Sequence, residues 1–335
     1  MGRSATIVFH GHCFDGMSSA ALMARFLREH EGVRHTRCVG LDHQPGGSYV
    51  PDEALGGDIN AIVDFRYSCS DKLTWWFDHH RTGLVGAHEH EDYAAKQTRQ
   101  SLEGPRRFFF EPAYTSCCKL IRDSLANVYR WRCPSLDNLV SWADTIDSAG
   151  FATPEAAVAL DEPAVQLMAV LEVHGSTEFL SPRIDQLSQG VALTDIAQSA
   201  EVQRLFAPIA AAQQHATDQI RDHARLLDGV VTFELVGTST DRYNKFIPYW
   251  LFPDAAYVVA VSQGPQRVKV SVGSNPWRAQ DGQHSIGDLC ARYGGGGHAY
   301  VGAVTLEPSQ LSRARQVARE IAAVLRDQAP QLSVG

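Results

Sequence analysis

ATIVFHGHCFDGMSSAALMARFL, residues 5 to 27, is the stretch on which the reading of the fold turns. Ala5 to Phe9 is a short apolar run, and a polar, glycine-containing turn follows it. Leu22, Met23, Phe26 and Leu27 then recur at helical spacing within Ser18 to Leu27. The order is strand, loop, helix. Ile59 to Phe65 and Leu73 to Phe77 are further short apolar runs that meet acidic or histidine residues, as expected of buried parallel strands whose carboxyl ends carry a site.

Phe108 to Phe110 reads as a fourth strand, followed by a helix from about Thr115 to Tyr129. Ser135 to Thr145 carries Leu136, Leu139, Val140 and Ala143 on one face, and Pro154 suits the first turn of the next helix. Gly175 to Gly190 is poor in helical pattern, whereas Asp195 to Leu227 reads as a long helical stretch. Beyond it come a strand at Val230 to Val236, a helix around Tyr243 to Leu251, and alternating runs at Ala256 to Ser262 and Arg267 to Val272. A helix near Ser285 to Tyr293 and a last one from Pro308 to Arg326 complete the pattern. The expected fold class is α/β: a parallel-sheet domain over residues 1–190, a helical linker over 191–228, and a smaller mixed α/β domain over 229–335.

A length of 335 residues accommodates about two domains, each able to bury its own core. With 44% hydrophobic and 20% charged residues, the composition excludes disorder, collagen and coiled coil. No apolar run approaches the roughly 18 residues of a membrane span, and the first residues lack a signal-peptide layout, so a cytoplasmic protein with no membrane partner is expected. Seven cysteines without a C-x-x-C pair favour reduced thiols over a disulfide framework or a cysteine-caged zinc. Residues 1–228 hold 20 Lys and Arg against 30 Asp and Glu, net −10; residues 229–335 hold 10 against 8, net +2. An acidic first part is a poor surface for long duplex DNA, whose affinity comes from many basic contacts to phosphate. It is well suited to divalent cations.

Three strand ends offer metal ligands: His10, His12, Cys13 and Asp15 after the first, Asp64 after the second, and Asp78, His79 and His80 after the third. A single aspartate in such a place is commonly a cap or turn former. Three adjacent strands ending alike are different, because carboxylates brought together need cations between them. Mixed carboxylates and imidazoles suit two divalent ions, Mn²⁺ first and Mg²⁺ or Co²⁺ next.

The order of His10, Asp15 and Gly16 in FHGHCFDGMSSAA, Asp64 in AIVDF, DHH at Asp78 to His80, Asp144 in WADTID and GGGGHAYVGA at Gly294 to Ala303 resembles the DHH phosphoesterase family with its DHH-associated C-terminal domain. Those motifs span almost 300 of the 335 residues. The family includes single-strand exonucleases of the RecJ type, oligoribonucleases that also act on adenosine bisphosphate, cyclic-dinucleotide phosphodiesterases, and pyrophosphatases and polyphosphatases with a different second domain. The glycine-rich segment resembles the nucleic-acid branch. The resemblance implies that His10 and Asp64 hold a first metal and that Asp15, Asp64, His79 and Asp144 hold a second, with Asp64 bridging. His80 would contact the substrate phosphate, and Asp78 would orient a neighbouring histidine. Asp147, one helical turn beyond Asp144, is the competing carboxylate; Asp144 is preferred.

Cys13 stands where the family most often has a carboxylate, a feature shared with an HxxCxDG subgroup. A thiolate there would draw the first site toward zinc, cobalt or iron. Hard-ion phosphoryl chemistry gains little from such a ligand, which favours a packed loop residue; His12 could also fill the place. In GGGGH, the glycines at 295, 296 and 297 let backbone N–H groups approach an anion or a base edge, and His298 would donate to a terminal phosphate. Gly273 occupies the position where related enzymes usually have an arginine, for which Lys269 or Arg278 could compensate. Ser116 is either a phosphate ligand at a helix start or a simple cap. HEHE at His88 to Glu91 reads as a solvated loop, while RRFFF at Arg106 to Phe110 and Trp75–Trp76 read as core.

The function expected is a two-metal phosphoesterase that cleaves phosphodiester or phosphomonoester bonds of short nucleotides: oligonucleotides, cyclic dinucleotides or adenosine bisphosphate. Two ions about 3.5 to 4 Å apart would activate a bridging hydroxide, with no covalent intermediate. A pyrophosphatase or polyphosphatase is the alternative enzyme, and a degenerate single-strand nucleic-acid-binding protein is the alternative without catalysis. The sequence leaves the oligomeric state open, a homo-oligomer included.

Overall fold

A computed structural model describes residues 2–42, 49–237, 243–278, 285–297 and 299–327. The chain divides into two compact units, Met1–Gly150 with Leu160–Ala207, and Phe151–Ala159 with Pro208–Gly335. The first contains β1 (Arg3–His10), α1 (Phe14–His30), β2 (Val33–Leu41), β3 (Ile59–Val63), β4 (Trp75–Asp78), α2 (Ala87–Glu103), β5 (Phe108–Phe110), α3 (Cys117–Tyr129) and α4 (Asp137–Asp147). The short α5 (Pro154–Val158) belongs to the second unit; α6 (Pro163–His174), α7 (Thr177–Gln189) and α8 (Leu193–Ala197) belong to the first. The helix α9 (Ala200–His223) passes from one to the other at Pro208.

Among the described residues the first unit is built on five strands in the order β2-β1-β3-β4-β5, every pair parallel. Both faces are buried, which explains why its strands are continuous apolar runs. One face carries Val8, Ile62, Phe65, Trp76 and Phe108; on the other, Trp75 meets Phe26 of α1 edge-on at 5.3 Å and stacks with Phe77. Because β1, β3 and β4 are neighbours and parallel, the loops leaving their carboxyl ends emerge side by side. That adjacency positions the site.

The long helical stretch expected over Asp195 to Leu227 is instead α8, α9 and, at Arg225–Leu227, a strand, and two further elements depart from their sequence pattern. β2 lacks a continuous apolar run because Arg34, His35, Thr36 and Arg37 interrupt it; it is an edge strand and those four residues face solvent. Gly175–Gly190, which lacks an apolar period, is nevertheless helical as α7, capped by Ser176 and burying Leu180, Ile184 and Leu187. Pro182 within it blurred the pattern.

In the second unit, among the described residues, six strands run β10 (Gly296–Gly297), β11 (Val301–Leu306), β9 (Val268–Ser274), β8 (Tyr257–Gln263), β7 (Val230–Leu235), β6 (Arg225–Leu227). β7 and β8 are parallel and the other pairs antiparallel, so the sheet is mixed as expected. The terminal helix α12 (Leu311–Arg326) covers one face through Ala314, Val317 and Ile321, with α11 (Ile286–Ala291) beside it. On the other face Val258 and Ala260 pack with Ile247 and Tyr249 of α10 (Ile247–Leu251) and with Ile220 of α9.

Candidate metal centre

β1 ends at His10, and Cys13 then occupies the N-cap position of α1, whose first turn carries Asp15. The chain can turn this tightly only because residue 16 is glycine: a Cβ there would lie 2.1 Å from the His10 carbonyl oxygen. Asp64 follows β3 and adopts φ +54°, a left-handed conformation that aspartate tolerates better than most residues. Its N–H is held by the Phe77 carbonyl at 3.0 Å and by Cys117 Sγ at 3.2 Å, which fixes the carboxylate among its neighbours. Asp78 closes β4, and His79 and His80 come directly after it.

These side chains converge. His79 Nε2 is 3.3 Å from Asp147, 3.5 Å from Asp64 and 3.9 Å from Asp15. His10 Nδ1 is 3.7 Å from Asp64, and His80 Nδ1 is 3.8 Å from it. Asp64 is wholly buried, and neither of its carboxylate oxygens has a hydrogen-bond partner among the described residues. Such groups are rare in folded proteins unless something else satisfies them. His79 Nδ1 faces the Tyr114 carbonyl at 3.1 Å, so that nitrogen donates there and Nε2 is the one turned toward the carboxylates, where an ion would displace its proton.

The electrostatics agree. Burial pushes the Asp15 carboxyl well above its usual range, and Asp64 and Asp147 push it further. Burial and Asp64 likewise raise Asp147 to about 6. For Asp64 burial acts upward, but His10, His79 and His80 outweigh it and hold it below the usual range. Burial lowers His79, yet Asp64, then Asp15 and Asp147, overcome that and raise it to about 10. Protons stand in this cluster where cations would relieve the crowding of negative charge. Three overlapping donor groups have atoms within 4.8 Å of one another: His10–Cys13–Asp64, Asp64–His79–His80, and Asp15–His79–Asp147.

No family model matches this sequence, and no curated protein matches it. Solved structures do. The pGpG-specific phosphodiesterase PggH of Vibrio cholerae aligns over 96% of this chain and 99% of its own, at 17% identity and a TM-score of 0.68. The DHH domain of a member of the s1p family of ribosomal proteins aligns over 95% and 86%, at 12% identity and 0.54. Exonuclease RecJ bound to manganese aligns over 96% and 90%, at 13% identity and 0.52. The chain has the DHH phosphoesterase fold.

Within that fold the structure rearranges several expectations. Asp144 lies outside the cluster: it accepts hydrogen bonds from Thr115, from Ser116 at 3.2 Å and from Lys119 Nζ at 3.0 Å, and these hold its carboxyl below the usual range despite burial. Asp147, the last residue of α4, takes the place beside His79. Asp78 binds His80, through Nδ1 at 2.8 Å and the backbone N–H at 3.1 Å, while the Tyr114 carbonyl steadies His79. Ser116 is fully buried and caps α3. His12 points elsewhere, with Nδ1 3.2 Å from the Leu171 carbonyl and Nε2 3.8 Å from Asp42. HEHE is not a loop but the first turn of α2, where Glu89 receives the Val85 N–H and pairs with Arg66. Trp75, Trp76, Phe108 and Phe109 are core as expected.

Sequence reasoning missed the backbone groups that frame the DHH fold's centre here. The N–H groups of Cys117 and Cys118, at the start of α3, donate to Asp15 at 2.7 and 2.9 Å, and Tyr114 offers its carbonyl. Backbone atoms leave no mark in residue identity; the short polar run before a helix start was the available signal.

In the second unit, a Cβ at Gly295 would lie 2.1 Å from the Ala303 carbonyl oxygen, so glycine there is required by packing. Gly296 is different, since a Cβ would meet nothing within 4 Å and the residue is exposed. Gly297 pairs with Gly302. Lys269 sits partly buried on β9, opposite Thr305, and Arg278 is engaged with the carbonyl and carboxylate of Asp254. A side chain at Gly273 would press on the Tyr249 hydroxyl, 2.9 Å from where its Cβ would be. His298 lies outside the described residues.

Proposed function

We propose that this chain is a divalent-metal-dependent phosphoesterase that hydrolyses short nucleotides, with a linear dinucleotide or short oligonucleotide as its substrate. The observation that carries the reading is Asp64, buried, with both oxygens unsatisfied, surrounded by three imidazoles and two further carboxylates. The likeness to PggH and to manganese-bound RecJ supports the same chemistry and the same kind of substrate. His10 and Asp64 would hold one ion, and Asp15, Asp64, His79 and Asp147 the other, with Asp147 in the role expected of Asp144. When bound, two such ions lower the pKa of water and neutralise charge on the attacking and leaving oxygens.

The chain's own residues do the rest. Tyr114 fixes the tautomer of His79 through its carbonyl. Burial lowers His80, but the Asp78 hydrogen bond and Asp64 raise it overall, a direction that favours donation to a phosphate oxygen. Its side chain is 36% exposed, against 10% for His79, which suits contact with substrate.

The test is turnover of a linear dinucleotide, longer oligonucleotides, a cyclic dinucleotide, adenosine bisphosphate and pyrophosphate with Mn²⁺, each repeated with chelator. Release of mononucleotides from the shortest linear substrates, abolished by chelation, is the expected result. Turnover confined to pyrophosphate or polyphosphate would move the assignment to the inorganic branch. Binding of single strands without cleavage would make the chain a binding protein.

A further inference from the structure

Cys13 sits between β1 and α1, beside the ligands of the first ion. It stands at the N-cap of α1, yet its side chain makes no capping hydrogen bond. It forms no disulfide and is not part of the buried core. Its sulfur does lie with a His10 ring nitrogen and an Asp64 carboxylate oxygen in a group whose atoms are all within 4.8 Å of one another. Metal–ligand bonds of about 2.0 to 2.3 Å place the donors of one ion roughly 3 to 4.5 Å apart. A second observation is independent of the cysteine: fully buried Asp64 has no hydrogen-bond partner for its carboxylate among the described residues, and its Oδ2 lies toward His10 while Oδ1 faces His79 and His80. His12, the other side chain that could complete the group, is turned to Leu171 and Asp42. Without Cys13 the donor group of the first ion would shrink, among the described residues, to His10 and Asp64.

We infer that Cys13 is the third protein ligand of the first ion, so that the two ions occupy chemically unequal sites. The nitrogen, sulfur and oxygen set of His10, Cys13 and Asp64 selects a borderline ion such as Zn²⁺, Fe²⁺ or Co²⁺ over Mg²⁺. The carboxylate-rich set of Asp15, Asp64, His79 and Asp147 suits Mn²⁺ or Mg²⁺. As the metal–sulfur bond forms, the thiol proton passes to solvent and the cation supplies the counter-charge. This inference rests on the two-metal reading, and its test separates the two.

Full-length protein stripped with chelator is titrated with Co²⁺ alone, with bound metal counted by elemental analysis and near-ultraviolet absorption followed for thiolate-to-cobalt charge transfer. Wild type should bind two ions and show the band, saturating with one of them. Cys13→Ser should lose the band and about tenfold or more in affinity at one site. Cys13→Asp should bind two ions without the band, with its first-site preference moved from Co²⁺ toward Mn²⁺; it keeps the test decisive if the serine variant folds poorly. Two Co²⁺ ions without the band in wild type, or a band that survives in Cys13→Ser, would overturn the inference and leave the two-metal reading standing. Wild type that binds no ion would overturn both.

Discussion

The carboxyl edge of the parallel sheet and the glycine-rich edge of the mixed sheet are built in opposite ways. At the first, charged side chains crowd together beyond what their hydrogen bonds satisfy, and Asp64 is buried at the centre with both oxygens bare. At the second, close packing demands glycine at 295 and 297, and only at 296 does exposed backbone stand where a Cβ would meet nothing within 4 Å. One edge stores electrostatic stress that a cation relieves; the other is shaped by absence. Substitutions at the first should therefore act through metal and charge, and at the second through sterics.

The sharpest break is Asp64→Asn, which keeps a residue type that tolerates the left-handed backbone. It should cut turnover on the order of 10³-fold or more, because this carboxylate serves both ions, with circular dichroism unchanged. Near-normal rates at saturating Mn²⁺ would falsify the two-metal assignment. Next comes the pair on α4. Asp147→Asn should weaken metal binding about 10- to 100-fold. Asp144→Asn should keep metal content and lose only up to about 1 kcal/mol with its partly exposed Lys119 partner. Calorimetric metal titration of both variants decides the matter, and the reverse ranking restores Asp144 as a ligand.

At the glycine edge, Gly295→Ala should cost about 1 to 3 kcal/mol in chemical denaturation, because its Cβ would collide with backbone. Gly296→Ala should leave stability within about 0.5 kcal/mol while raising KM several-fold. Equal effects at the two positions would mean that both glycines serve packing alone. A further effect is in pH dependence. In chelated protein His79 is raised to about 10. The folded state thus binds more protons than the unfolded chain between pH about 6.5 and 10, and stability falls as pH rises through that window. Asp147, raised to about 6, contributes with the same sign between about 4 and 6. A loss of about 1 to 2 kcal/mol between pH 6.5 and 9.5, reduced by Mn²⁺, should be visible in thermal melts. A melting temperature that rises over this range without metal would sink the proposed crowding.

The fold was legible where chemistry and periodicity coincide. Strand, turn and helix from Ala5 to Leu27 read directly, because buried parallel strands are uninterrupted apolar runs and the helix shows its own period. Edge strand β2 did not, since an exposed strand needs no apolar run. The choice between Asp144 and Asp147 was beyond the sequence for a different reason. Both lie on one helix face a turn apart, and what separates them is Lys119 and Thr115, contributed by the start of α3 and the loop before it. Tertiary pairing, not local pattern, takes Asp144 out of the cluster. The second sheet's edge was readable only as glycines; the distinction between Gly295 and Gly296 required knowing which atoms stand where a Cβ would be.

The φ of +54° at Asp64 also constrains descent. A single base change turns an aspartate codon into one for asparagine, glycine, histidine, tyrosine, alanine, valine or glutamate. Of these, asparagine and glycine suit a left-handed backbone best; β-branched valine suits it worst. A lineage that abandons hydrolysis while keeping a stable fold therefore has a narrow exit at this position, through Asn or Gly. Non-catalytic descendants of this protein should be recognisable by one of those two residues after the third strand, and relatives carrying any other replacement there should bear compensating changes in the Phe77 and Cys117 contacts that hold the turn.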